Sequence, residues 1–336
     1  MKSMKHDICL YGRMILAMLV LTGCSTITEF PGENPTDPTL VGLNIEVTLS
    51  EETTDMTDCE DLEGWAQQRL VVEAYETEDL TQPTIRKEML LEHFLQEEEA
   101  VSVPLELHAE QYRLTAWIDY VKKDEPGDLY YCTENSLRNI RLNSDYRANC
   151  EEKDCFTAVK DLDLTVYSGQ WNTNLRVEMK AERPVGKLVL IADDVEKFIT
   201  RAQSRGDQVS RADINGFKAR VIYQGYTPVG YDACGCELND AATGICYEST
   251  FRVLNENEAM VAFDYLLAEK EGTSYEVALL VYDEEGKLLN EVGGQKVTVK
   301  SNQVTVLKAD FLTGEYKPGI SIDTDYDGTI DVELPD

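Results

Sequence analysis

A cysteine near the start of the chain has the surroundings of a lipid-attachment site. Lys2, Lys5 and Arg13 form a basic lead, and an apolar run over 14–21 precedes Leu21-Thr22-Gly23-Cys24. This run is too short to span a bilayer, which takes about 20 residues, and a basic lead, a short apolar core and a small-residue cleavage site are typical of a secretory signal. The sequence therefore predicts a signal peptide over 1–23 and an acylated Cys24. A simple signal peptide with a coincidental cysteine is the alternative.

The other cysteines favour disulfide bonds. The chain has nine cysteines; setting aside Cys9 in the signal and Cys24 leaves an odd number, Cys59, Cys132, Cys150, Cys155, Cys234, Cys236 and Cys246. Disulfides are the usual state of such cysteines outside the cytoplasm. We predict one bridge among the last three and a second joining Cys132 to Cys150 or Cys155. A thiolate metal site at the last three is the alternative, although no histidine lies nearby in sequence as a fourth ligand.

An acidic segment near the end of the chain resembles a calcium loop in part. Its carboxylates occupy pattern positions 1, 3, 5 and 9 and are Asp323, Asp325, Asp327 and Asp331. Gly328 at position 6 would permit the sharp bend, but Leu334 stands where the bidentate glutamate belongs. Strand-like residues also flank the segment, so an acidic β-turn with Gly328 at its tip is favoured over a calcium site. No other cofactor is expected.

Catalysis has little support in the sequence. It contains no zinc-protease helix motif, no nucleophile elbow and no phosphate-binding glycine loop, and a solvated surface accounts for His93 and His108. We therefore expect no enzyme, although a paired-carboxylate glycosidase stays open because acidic residues are so abundant. Four aromatic residues could form a sugar-stacking platform, but aromatics on sheets more often pack across strands; they are Trp117, Tyr130, Tyr131 and Trp171.

The candidate residues named above must be positioned mainly by β-strands, because apolar residues recur along the sequence chiefly with a period of two. The alternation is clearest over 41–50, 101–107 and 112–120, and further strands are predicted over 69–75, 174–179, 187–192, 217–223, 260–267, 275–282, 295–300, 303–309, 320–322 and 330–334. Turns are predicted at Asp283–Gly286 and at Ser301-Asn302, and one helix over 195–205. Many short strands between turn signals indicate an all-β chain of antiparallel sandwiches.

Composition sets the organisation of the mature chain. A segment rich in Thr, Pro and Glu over 24–39 lacks hydrophobic periodicity and predicts a flexible tether. A break near Pro184 divides the rest into sandwiches over 40–182 and 183–336. The formal net charge is −32; removing 1–23 takes away three basic residues and one acidic residue, giving −34. Such a charge disfavours nucleic-acid partners.

Five segments carry a resemblance to a known group of proteins. They are Tyr112–Tyr120 (YRLTAWIDY), Asp128–Tyr131 (DLYY), Arg183–Leu188 (RPVGKL), Ala262–Tyr265 (AFDY) and Thr305–Gly314 (TVLKADFLTG). With the lipid-attachment motif, the chain resembles an uncharacterised lipoprotein family related to the fimbrillins and anchor subunits of type V fimbriae. The resemblance implies two transthyretin-like β-sandwich domains, lipid anchoring to the outer membrane on its periplasmic or cell-surface side, and assembly with fimbrillin-like subunits by strand exchange.

The distribution of basic residues bears on which kind of subunit this is. The resemblance implies that stalk subunits lose their first strand by cleavage after a basic residue, whereas 24–68 contains no Lys or Arg. The first candidate, Arg69, abuts a predicted strand and is expected to be poorly exposed. We therefore expect an anchor or accessory subunit that keeps its first strand. A surface carbohydrate-binding lipoprotein is the alternative.

Overall fold

A computed structural model of the chain describes residues 40–51, 57, 62, 64–96, 99–125 and 127–314. The strands are β1 (Leu40–Leu49), β2 (Ala66–Glu76), β3 (Ile85–Leu90), β4 (Ala100–His108), β5 (Gln111–Lys122), β6 (Tyr131–Cys132), β7 (Ile140–Leu142), β8 (Phe156–Asp163), β9 (Asn174–Ala181), β10 (Val185–Ala192), β11 (Lys218–Gln224), β12 (Thr227–Asp232), β13 (Glu237–Ala242), β14 (Cys246–Thr250), β15 (Arg252–Val253), β16 (Ala259–Leu267), β17 (Thr273–Tyr282), β18 (Leu288–Val299) and β19 (Val304–Ala309). The helices are α1 (Val195–Ser204) and α2 (Arg211–Ile214), and short 3₁₀ turns cover Leu137–Asn139, Glu151–Lys153 and Thr165–Tyr167.

The first half of the described chain is a β-sandwich. One sheet has the strand order β4-β1-β9 and the other has the order β3-β2-β5-β8. Alternate residues of β1, including Val41, Ile45 and Val47, are fully buried and pack against β2 and β5 residues such as Leu70 and Leu114. The period-two pattern thus directs one face of each strand into this core. The expectation that the strand over 112–120 is half-buried is wrong, because the other face of β5, with Trp117, is also buried.

The second half repeats this architecture. Its sheets have the orders β15-β16-β10-β19 and β14-β11-β17-β18, around a separate core that includes Leu188, Val221 and Leu279. In both halves the first strand pairs antiparallel with one neighbour and parallel with the last strand, β1 with β9 and β10 with β19. The all-β sandwich prediction is confirmed, while the expectation of purely antiparallel sheets is wrong for these two pairs.

A fifth sheet connects the two halves. It has the strand order β13-β12-β7-β6, and Gly230 and Tyr231 of β12 pair with Arg141 and Ile140 of β7. A third buried cluster lies beside it and contains Val71 and Trp117 from the first half with Tyr265 and Leu267 from the second. The predicted division at 182/183 therefore separates two sandwiches that share a sheet and a core, and the domain limits stay a prediction.

The predicted elements within the described chain are present. Strands occur at every predicted range from 41–50 to 303–309, and α1 matches the predicted helix. Gly286 (φ 82°) and Asn302 (φ 57°) take the left-handed conformation at the two predicted turns. Other elements lie outside the predicted ranges, namely β3, β6, β7, β8, β12–β15 and α2. In β13, for example, the polar residues lack clear alternation. The predicted strands over 320–322 and 330–334 lie outside the described residues.

Candidate functional site

The first strand occupies the centre of its sheet. β1 pairs with β4 on one side, from Leu40 opposite His108 to Thr48 opposite Ala100, and with β9 on the other side. His108 lies on the exposed face, as predicted. Since β1 supplies backbone partners to two strands and four apolar side chains to the core, its loss would open both the sheet and the sandwich. Each buried aliphatic side chain of this kind stabilises the fold by about 1.5–3 kcal/mol.

The first basic residue after β1 is buried and held by ion pairs. Arg69 lies within β2 and is 2% exposed. Its Nε and Nη2 donate to Oδ1 and Oδ2 of Asp119 at 2.9 and 2.6 Å, and its Nη1 donates to Asp128 Oδ1 at 2.8 Å. Burial raises the pKa of Asp119 to about 6, and the facing guanidinium opposes a larger rise. The predicted poor exposure of Arg69 is confirmed, and the bidentate geometry explains it.

A buried ion pair joins the two sandwiches. It lies at the boundary where residues 151–154 of the first half pack against β10 and β16 of the second, and we call this boundary the seam. Lys153 Nζ donates to Asp264 Oδ1, and both side chains are 1% exposed. Tyr146 and Tyr223 donate to Asp264 Oδ2 at 2.6 and 2.8 Å. Burial, aided by the charge of Asp264, raises the pKa of each tyrosine well above its ordinary value, so both hydroxyls stay protonated donors.

Two further pairs extend the seam. Arg183, 6% exposed, donates from Nε to both oxygens of Asp154 at 2.8 and 2.9 Å. Lys187 Nζ lies 2.8 Å from Glu151 Oε1, and the hydroxyl of Tyr265 donates to Glu151 Oε2 at 2.6 Å. Desolvated charges are tolerated here because each has a partner of opposite sign. Arg183 and Tyr265 were singled out in the sequence only as parts of motifs. The signal that could have identified their role is the excess of charged and hydroxyl groups within apolar strands.

The six described cysteines carry free thiols. Cys234 and Cys236 lie in the turn between β12 and β13, whereas Cys246 begins β14 in another sheet. Cys155 is fully buried, and burial raises the pKa of its thiol well above the ordinary value. Cys132 belongs to β6, and Cys150 directly precedes a 3₁₀ turn. The structure does not join these residues, and the two bridges stay predictions.

The proposed sugar platform is not assembled in the described part of the chain. Trp117 is fully buried and packs edge-on against Tyr131 at 5.3 Å between ring centroids, and Tyr130 is 6% exposed. Trp171 alone of the four is exposed, at 62%. The cross-strand packing given as the more common role of such aromatics accounts for the other three.

An acidic group unforeseen in the sequence lies where β10 ends. Carboxylate oxygens of Asp193, Asp194 and Asp310 lie within 4.8 Å of one another. Asp194 accepts hydrogen bonds from the backbone amides of Leu312 and Thr313, and Asp310 pairs with Lys197. Burial raises the pKa values of Asp193 and Asp194, because their charged forms are poorly solvated. These contacts give the group a structural role in holding the turn after β19.

Several predicted sites lie outside the described residues. They are the signal peptide over 1–23, the acylated Cys24, the tether over 24–39, Cys59, and the candidate calcium ligands Asp323, Asp325, Asp327 and Asp331. In the described residues, no helix has both the length and the apolar character that crossing a membrane requires.

The sequence matches a family model over residues 35–335, and the chain belongs to that family, DUF6562, a family of unknown function. The expectation of an uncharacterised family is thereby confirmed. No curated protein matches the sequence.

Solved structures show a loose likeness of fold. The fimbrial anchor protein Mfa2 from Porphyromonas gingivalis is 13% identical with a TM-score of 0.44, over 75% of this chain and 81% of that one. A candidate polysaccharide-binding protein from Bacteroides thetaiotaomicron is 8% identical with a TM-score of 0.46, over 81% and 93%. A candidate adhesin from Bacteroides ovatus is 11% identical with a TM-score of 0.43, over 94% and 98%. At these values the likeness does not extend to function.

Proposed function

We propose that this protein is an anchor or accessory subunit of a fimbrial assembly at the outer membrane, held by a lipid on Cys24 and keeping its first strand. The observation that carries the proposal is the position of β1 between β4 and β9, combined with the burial of Arg69. The resemblance of the sequence to type V fimbrial lipoproteins supplies the context, and the role proposed is one of attachment and not of catalysis.

Burial of Arg69 argues against proteolytic removal of β1. A protease that cuts after a basic residue must draw that residue and its neighbours into an extended, accessible conformation. Arg69 instead pairs across the sheet with Leu90 of β3 and Asp119 of β5, and three hydrogen bonds bind its guanidinium to carboxylates. Breaking one partner from such a buried pair costs about 3–5 kcal/mol, so the folded chain resists cleavage at this position.

Partner strands would then add at an exposed sheet edge instead of replacing β1. The β4 edge is poorly suited, because Pro104 near its middle lacks an amide hydrogen and its carbonyl accepts from Lys87. β18 offers a better edge. It is twelve residues long, contains no proline, ends its four-stranded sheet and pairs in the described residues with β17 alone. We assign β18 as the acceptor for a strand of a fimbrillin-like subunit.

Two measurements test the proposal. Mass spectrometry of the protein extracted from outer membranes should find lipid on Cys24 and intact β1 peptides; a mature N-terminus at Leu70 would overturn the retained-strand assignment. A photo-crosslinking amino acid at Lys296 of β18 should yield denaturant-resistant adducts with a β-sandwich subunit. The same residue at Lys87 of β3, an exposed edge lysine beside Pro104, is the matched control and should yield none. Equal labelling from both positions would reject the β18 edge.

The carbohydrate-binding alternative has lost the observation that favoured it, because three of its four aromatic residues are buried. A glycan-binding role would require a different surface. Crosslinking in intact cells that captures glycan-uptake proteins, and no fimbrillin-like subunit, would restore it.

A further inference from the structure

The loop between β8 and β9 differs in composition from the rest of the chain. Residues 164–173 contain no charged side chain, although 28% of the whole sequence is charged. Within this loop Val166 is 65% exposed and Trp171 is 62% exposed. Two large exposed apolar side chains in one uncharged loop make this loop a candidate interaction surface.

The loop lies at the end of the first sandwich where β1 begins. β1 starts at Leu40, and the amide of Gly42 donates to Thr173 O of the loop at 2.9 Å. Sixteen residue steps separate Cys24 from Leu40, and a flexible tether of that length would span about 22 Å on average, less than the roughly 30 Å length of the strands. A lipid on Cys24 would therefore hold this end of the first sandwich near the bilayer.

We propose that the 164–173 loop docks onto the lipid surface, with Val166 and Trp171 entering the interfacial region; this rests on the proposed lipid anchor. Tryptophan favours the membrane interface because its ring is apolar while its N–H still finds a polar partner. Tethering makes the contact intramolecular, with an effective concentration on the order of millimolar, so two side chains suffice to bias the orientation. The docked loop would hold the first sandwich upright, with the far end of β9, from which the chain continues into β10, directed away from the membrane.

Charge at the same end predicts which lipid is preferred. The neighbouring β2–β3 and β4–β5 turns carry exposed Glu78, Asp79 and Glu110. These carboxylates would be repelled by an anionic surface over about 10 Å at 0.1 M salt. Docking is therefore expected on zwitterionic phosphatidylcholine, and phosphatidylglycerol should weaken it, with added salt restoring part of the loss.

The chain contains its own control for a fluorescence test. It has three tryptophans, of which Trp117 is fully buried and Trp65 is 40% exposed just before β2. β2 runs antiparallel to β5 from Ala66 opposite Lys122 to Glu76 opposite Tyr112. Trp65 and Trp171 thus lie at opposite ends of the sandwich, on the order of 30 Å apart along the strands.

The experiment places the mature lipidated protein in phosphatidylcholine vesicles with or without bromine on the acyl chains. Brominated lipid should quench the tryptophan fluorescence of the Trp65→Phe variant, which keeps Trp171. The fluorescence of the Trp171→Phe variant should not be quenched. In the Trp65→Phe background, Val166→Ser should reduce the quenching, whereas Leu254→Ser, at a residue 43% exposed on the second sandwich, should not.

Each result decides the matter. Equal quenching in both tryptophan variants overturns lipid docking by this loop. Absence of quenching in both variants also overturns it, and is the result expected if the loop binds a protein partner in cells instead of lipid. Intact mass separates the two proposals. A lipidated chain with unquenched Trp171 rejects the docking alone, whereas a chain without lipid rejects both.

Discussion

The Lys153–Asp264 ion pair of the seam allows a quantitative prediction for the free energy of unfolding. Lys153→Met removes the cation from a pair that is 99% buried on each side and keeps much of the side-chain volume. Loss of one partner from a buried pair costs about 3–5 kcal/mol. Tyr146 and Tyr223 would still donate to Asp264 at 2.6 and 2.8 Å. We therefore expect the lower part of that range, about 3 kcal/mol.

Urea-induced unfolding measures this loss. If the free energy of unfolding falls by about 3 kcal/mol per molar urea, the urea concentration at the unfolding midpoint should fall by about 1 M. Adding Asp264→Asn removes the orphaned charge and should recover about 2 kcal/mol relative to Lys153→Met alone. The Asp264→Asn single variant completes a double-mutant cycle, in which the coupling energy is the loss of the double variant minus the losses of both single variants. Lys180→Met breaks an exposed pair with Glu51 and is the matched control, with no measurable shift expected.

Two results would refute this reasoning. A loss below about 1 kcal/mol for Lys153→Met would mean that the pair is solvated and does not hold the seam. Separate unfolding transitions for the two halves of the wild-type chain would mean that the shared sheet and core do not couple them.

Three further outcomes are expected. Ile45→Ala, in the buried face of β1, should lower the free energy of unfolding by about 2–5 kcal/mol, whereas Asn44→Ala on the exposed face should change it by less than about 1 kcal/mol; similar losses would contradict a central β1. The pKa of Asp193 is raised in the folded state, so its stabilising contribution is present at low pH and lost as pH rises; Asp193→Asn should therefore raise the Tm at pH 7 and not at about pH 4, and an equal effect at both would count against burial as the cause. Alkylation of the native protein should reach exposed Cys236 and spare buried Cys155 until unfolding; a Cys236 that reacts only after reduction would support the predicted bridge instead.

The sequence by itself determined the class of the fold and much of the strand map. Alternation over 41–50 and 112–120 is enough to predict strands of a sandwich. β1 is half-buried as this pattern predicts, whereas β5 is buried on both faces, because Trp117 enters the third cluster and Asp119 pairs with Arg69. The absence of Lys and Arg over 24–68, and the motif ending at Cys24, are likewise local facts that need no structure. These features led to the expectation of a retained first strand.

The tertiary structure decided which strands pair and what the motif residues do. Parallel pairing of β1 with β9 joins residues more than 100 positions apart, and no local pattern specifies such a partner, because closing a long loop is repaid only by the complete sheet. The same holds for Asp119 and Asp264, which stand in strands that read as apolar. Their charges are stable there only because Arg69 and Lys153 arrive from distant segments to neutralise them, since a buried charge needs a partner that only the folded chain provides.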